Sequence, residues 1–234
     1  MLLDIKKIYD RKLAASNGEI GHVRDVYFDD KTWAVRYLVV ETGNWLTGRS
    51  VLLAPHSLGR FDQDEKILPV NLTRQQIENS PSIDAHRPVS RQYEENYYRY
   101  YGWPTYWEGG EIWGMSGYPV VTKSTASEVW RNYDYSRWDD IHLRSAKAVT
   151  GYALEAIDGT IGTVSSYMMD DKSWTIRDLV VETGHWYSGK EVLIAPSKIK
   201  RISYPESKVF VTLTKEDIKQ TLENNVVLAG TGIH

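Results

Sequence analysis

Residues 18–55 read GEIGHVRDVYFDDKTWAVRYLVVETGNWLTGRSVLLAP, and residues 159–196 read GTIGTVSSYMMDDKSWTIRDLVVETGHWYSGKEVLIAP. About half the positions are identical, every equivalent pair lies 141 residues apart, and no gap is needed as far as Leu72-Thr73 and Leu213-Thr214. Self-similarity over such a length marks a duplicated structural unit. Within the first copy Trp33, Val35, Tyr37 and Val39 alternate with Ala34, Arg36, Leu38 and Val40, a β-branched and aromatic pattern that predicts a strand buried on much of both faces. Asp29-Asp30-Lys31-Thr32 and Asp170-Asp171-Lys172-Ser173 precede the two strands and carry turn chemistry, so each copy is expected to hold a hairpin. A two-residue loop at Asp30 and Lys31 sets Asp25 opposite Arg36 and Phe28 opposite Trp33, and in the second copy Ser166 opposite Arg177. An ion pair at Arg36, partly exposed, is worth about 0.2 to 1 kcal/mol. Arg36 and its counterpart Arg177 are therefore expected to be structural.

Glycines at 18, 21, 43 and 48 recur at 159, 162, 184 and 189, where short strands turn corners. Thr73 followed by Gln76, and Thr214 followed by Asp217, predict helix starts closed by reciprocal capping. The expected fold is mainly β: two small barrels from an internal duplication, each with a short C-terminal helix, joined by an aromatic-rich segment with short helices. Barrel closure is expected because a small open sheet leaves its edges unpaired.

The G-x-I-G-x-V opening, the DD-K-x-W turn, the L-V-V-E-T-G strand end and the V-L-x-A-P strand together resemble the PRC-barrel family. The resemblance spans residues 1–80 and 141–222. It implies a non-enzymatic interaction or scaffold module, with no catalytic residue, cofactor or metal. That family includes the cytoplasmic domain of the photosynthetic reaction-centre H subunit and the C-terminal domain of the ribosome-maturation factor RimM. Two narrower implications follow: an H-subunit-like protein of light-reaction electron transfer, or a RimM-like ribosome and RNA-processing factor. The domain boundaries expected are 1–83, 84–140, 141–222 and a tail at 223–234.

Between the copies, residues 84–140 hold 9 of the 16 Tyr and 5 of the 9 Trp, which no flexible linker would. Ser90 is placed to cap a helix presenting Tyr93, Tyr97 and Tyr100 or Tyr101 on one face, ended by Gly102 and Pro104. One reading has these rings pack on the barrels or join two copies of the chain as a homo-oligomer such as a dimer. Another makes them a recognition surface for a partner protein, with Tyr97, Tyr101, Trp103, Tyr106, Trp107 and Trp113 as candidates. A ligand site between barrels and rings is a further alternative. Stacking on bases is disfavoured by Glu94, Glu95, Glu108 and Glu111 beside the rings.

A net charge of −3 gives no global attraction to nucleic acid. The chain has no cysteine, which excludes a thiol nucleophile and a thiolate metal site. Histidines at 22, 56, 86, 142, 185 and 234 fall in no ligand spacing, and no phosphate loop or nucleophile elbow is present. Adjacent Asp29-Asp30 and Asp170-Asp171 fall short of the about six to eight oxygens that calcium takes. Glu41 and Glu182, each before Thr-Gly at a strand end, are expected to accept turn amides or meet the arginine of a partner. The N-terminal Asp4, Lys6 and Lys7 interrupt any signal-peptide core, and no run has membrane-spanning length. A cytoplasmic protein is expected, with peripheral membrane association left open.

Overall fold

The computed structural model describes residues 1–9, 11–46, 49–60, 67–80, 97–103, 142–184 and 189–220. They form a mainly β protein with two sheets and short helices, and the chain divides into two compact units. The N-terminal unit comprises residues 7–143; the C-terminal unit comprises residues 1–6 and 144–234. The first strand of the chain thus falls in the unit that holds the second repeat.

In the N-terminal unit β2 (Lys12–Ala15), β3 (Gly18–Asp29), β4 (Val35–Glu41), β5 (Ser50–Leu53) and β6 (Ile67–Val70) are ordered β5-β4-β3-β2-β6. All pair antiparallel except β2 with β6, which run parallel. Residues 35–40 of β4 are all buried, as a strand covered on both faces requires. Thr73 then starts α1 (Arg74–Glu78): its hydroxyl accepts from the Gln76 amide while the Gln76 side chain accepts from the Thr73 amide. The reciprocal cap expected from the sequence is thus in place.

The C-terminal unit repeats the plan with β8 (Ala153–Ala156), β9 (Gly159–Asp170), β10 (Thr175–Thr183), β11 (Glu191–Ile194), β12 (Ile199–Ser203) and β13 (Lys208–Val211), in the order β11-β10-β9-β8-β13-β12. The strand β7 (Leu143–Ser145) and a short helix, Ala146–Val149, precede β8, and residues 215–220 are helical behind the Thr214/Asp217 cap. β1 (Leu2–Asp4) lies antiparallel beside β9, with Leu2 opposite Asp170, Leu3 opposite Met169 and Asp4 opposite Met168. Leu3 and Ile5 are both 1% exposed, so this short element is anchored by apolar burial as well as by hydrogen bonds.

The motif residues have concrete jobs. A Cβ at Gly21 would sit 1.9 Å from the Glu41 carbonyl oxygen, and one at Gly162 would sit 2.0 Å from that of Glu182. The second glycine of each G-x-I-G motif therefore lets two backbones cross where no side chain fits. Thr42 and Thr183 are buried at the strand ends, and their hydroxyls donate to the carbonyls of Arg49 and Lys190. Each Thr-Gly corner is closed by its own side chain.

The hairpin register departs from the expected one. Asp29 and Ala34 close the loop through the Asp29 amide and the Ala34 carbonyl at 3.0 Å, so the loop spans residues 30–33 rather than Asp30-Lys31. Asp29 Oδ1 accepts the amides of Lys31 and Thr32, each at 2.9 Å, and Asp170 does the same for Lys172 and Ser173. A two-residue hairpin loop wants positive φ at both positions, which Asp-Lys does not favour, whereas an aspartate that bonds the amides ahead of it nucleates the longer turn. The loop ends on Trp33 at φ 61° and Trp174 at φ 51°, an unusual conformation for a bulky residue. Burial of both rings, with Trp33 stacked 5.4 Å from Phe28, offsets that strain. In consequence Asp25 faces Val39 and Phe28 faces Val35, while Ser166 faces Val180.

Candidate functional site

The sites singled out in the sequence fall into two groups, the bulged strand pair and the aromatic segment. In both hairpins the register shifts across the same position: Tyr27–Tyr37 is followed by Phe28–Val35, and Met168–Asp178 by Met169–Ile176. Arg36 and Arg177 are the extra residues of these two bulges. Arg36 is fully buried and its Nη1 donates to Asp29 Oδ2 at 3.2 Å, so the expected pairing with Asp25 is replaced by one with the turn aspartate. Arg177 is exposed. Its charge still helps, after the Ser173 and Lys172 amides, to hold the Asp170 carboxyl below the usual carboxylate range. Equivalent positions thus give a buried structural ion pair in one copy and a solvated guanidinium in the other.

Glu41 does not accept turn amides; its Oε2 lies 2.9 Å from Arg24 Nε and 3.5 Å from His22 Nε2 on an exposed surface. Glu182 faces Thr163 and Glu191 across the sheet, so the second copy replaces an attractive neighbourhood with like charge. Neither glutamate is part of a cation site: among the described residues, no group of His, Asp and Glu side chains could hold a metal ion.

The aromatic segment forms a denser cluster. Residues 97–101 are helical and stop at Gly102, φ 69°. The Trp103 amide bonds the Tyr98 carbonyl at 2.9 Å and the Gly102 amide bonds the Arg99 carbonyl at 3.2 Å, a Schellman ending that turns Trp103 back over the helix. Tyr97 is fully buried; its hydroxyl donates to the Leu52 carbonyl at 2.6 Å and its ring meets Tyr37 edge-on at 5.5 Å. Trp103 stacks on Tyr101 at 4.4 Å and on His56 at 5.8 Å, while Tyr98 meets His56 edge-on. The Tyr100 hydroxyl donates to the Gln76 carbonyl at 3.2 Å, so the cluster also holds the end of α1. Burial pushes the hydroxyls of Tyr100 and Tyr101 to higher pKa.

Tyr97, Tyr101 and Trp103 are therefore 0%, 5% and 6% exposed, turned onto the N-terminal sheet rather than to solvent. Tyr106, Trp107 and Trp113 lie outside the described residues, as do the Ser90 cap and the C-terminal tail. The counterpart of Leu52 is Leu193, and the two differ sharply: 3% against 46% exposed. Sequence reasoning did not find His56, which serves as a ring platform, nor the pairing of β1. The only sequence signal for either was negative: His56 has no histidine counterpart in the second copy, as expected of a residue serving one unit alone.

Residues 5–77 match the family model of the PRC-barrel domain. The comparison with curated proteins finds no match. No helix among the described residues is long and apolar enough to cross a membrane.

Proposed function

From a chain that carries a PRC-barrel domain at residues 5–77, we propose that the protein is a non-enzymatic interaction or scaffold module working in the cytoplasm. The domain itself is a general protein-interaction module, and the reading beyond that rests on what the singled-out side chains do. The buried arginine is paired to a turn aspartate, the buried threonines close corners, and the rings fill the face of the N-terminal sheet. These groups are engaged in holding the protein together rather than converging on a reacting atom. The observation that carries the proposal is the PRC-barrel domain with its own aromatic cover.

The partner surface then has to be sought beyond Trp103, in the Tyr106, Trp107 and Trp113 stretch. The test is affinity capture with the full chain from its host's lysate at near-physiological salt, beside a Tyr106→Ala/Trp107→Ala variant. Stoichiometric retention of one protein by the parent chain, lost with the variant, supports the module. Failure of the parent chain to retain any protein, combined with a monomeric mass at all concentrations, removes the interaction reading.

A further inference from the structure

We infer that the strand at Leu2–Asp4 is a donor strand, and that the β9 edge receiving it takes the same strand from a second copy of this chain. The inference stands on the β1 pairing and its counterpart at His142, and does not rest on the interaction reading above.

Its starting point is a correspondence between the two units. In the C-terminal unit the Asp171 amide donates to the Met1 carbonyl at 3.1 Å. In the N-terminal unit the Asp30 amide donates to the His142 carbonyl at 2.9 Å. His142 is the repeat counterpart of Met1, and Asp171 that of Asp30. Each acceptor edge is thus occupied by the first strand of the opposite repeat. The aspartate side chains act alike as well: Asp171 Oδ1 lies 2.5 Å from the Met1 amine, and Asp30 Oδ1 lies 2.8 Å from His142 Nδ1. One strand reaches its edge from the start of the chain and the other from the connecting segment, yet both are held by the same backbone donor and the same carboxylate. The edge selects the strand by its hydrogen bonds, not by the route of the chain.

The grip is also short enough to open. β1 makes three residue pairs with β9, reinforced by burial of Leu3 and Ile5 and by the Ser166 hydroxyl on Asp4. An edge strand of this size is among the elements that open locally before the rest of a domain. A strand arriving from another molecule remakes every one of these interactions, so exchange between copies conserves contact energy and is opposed mainly by the entropy of association. It therefore grows with concentration.

The chain has no cysteine, which makes the pairing directly readable. Asp4 faces Met168, and both are partly exposed. An Asp4→Cys full-length chain is mixed with a Met168→Cys full-length chain, equilibrated and oxidised, and the products are separated without reductant. Because each chain has one thiol, a 4–168 bond can only join two molecules. The expected result is a 4–168 heterodimer several-fold in excess of the two homodimers, rising with protein concentration. Statistical yields of the three dimers overturn the inference, as does an Asp4→Cys/Tyr27→Cys chain closing its internal bond in preference to Asp4→Cys/Met168→Cys, which would return the strand to its own repeat. Isotopically light and heavy parent chains, mixed and weighed by native mass spectrometry, check the same point without mutation. Mixed dimers that increase with concentration and disappear with Leu3→Asp support donor exchange, and their absence at the highest concentration refutes it.

Discussion

Alanine at Gly21 should unfold the N-terminal sheet from its corner. The new Cβ would lie 1.9 Å from the Glu41 carbonyl oxygen and 2.8 Å from its carbon. Ordinary contact begins at 3.4 Å, so the strands must part by about 1.5 Å. Strands held about 4.8 Å apart by hydrogen bonds lose those bonds at such a displacement. With two bonds weakened at about 1 kcal/mol each, the clash costs about 2 kcal/mol. Gly21 also has φ 154°, a conformation side chains rarely adopt, and forcing alanine into it adds about 1 kcal/mol. Gly162→Ala, with its Cβ 2.0 Å from the Glu182 oxygen, tests the clash alone and should cost about 2 kcal/mol. Urea unfolding followed by hydrogen exchange on peptides of each unit measures both variants, and the loss should appear first in the unit that carries the substitution. If either variant unfolds within about 0.5 kcal/mol of the parent chain, the level expected of an innocuous surface change, the close crossing of backbones is not what the G-x-I-G motif encodes.

Three further outcomes are expected. Arg36→Met should cost about 3 to 5 kcal/mol by leaving the Asp29 carboxylate without its buried cation, and Arg36→Met/Asp29→Asn should recover part of it. Arg177→Met should stay within about 0.5 kcal/mol because that side chain is exposed, so equal losses at 36 and 177 in urea titrations would contradict the assignment. Tyr97→Phe removes the bond to the Leu52 carbonyl and should lower stability by about 1 kcal/mol or more, since the buried carbonyl loses its donor. An unchanged unfolding midpoint would show that the ring alone anchors the helix. Asp170 is held below the ordinary carboxylate range, first by the Ser173 amide. Its contribution is complete above the unfolded value near pH 4 and declines as pH falls through the lowered native value. The gap in unfolding midpoint between the parent chain and Asp170→Asn should thus be widest near neutral pH and close in acid; a gap constant from pH 6 to pH 3 would count against it.

Much of the local structure was legible because it is decided over a few residues. Thr73 with Gln76, and Thr214 with Asp217, cap helices as their spacing implies. Gly102 ends the aromatic helix, and the alternation over 33–40 marks a strand covered on both faces. The hairpin register was not legible. It turns on whether Asp29 or Asp30 governs the turn and on where one extra residue is inserted, and adjacent aspartates give both options the same composition.

The sequence by itself determined the two sheets of like plan, their turns and caps and the family of the first copy, since repeated short-range patterns report local backbone preference. Tertiary structure decided the fates of equivalent residues. Arg36 is enclosed and Arg177 is solvated, Leu52 is covered by Tyr97 and Leu193 is not, and Leu3 is buried in the unit built from the other repeat. Burial depends on which distant segment arrives to cover a side chain, and two copies that share a local pattern carry no local record of that arrival.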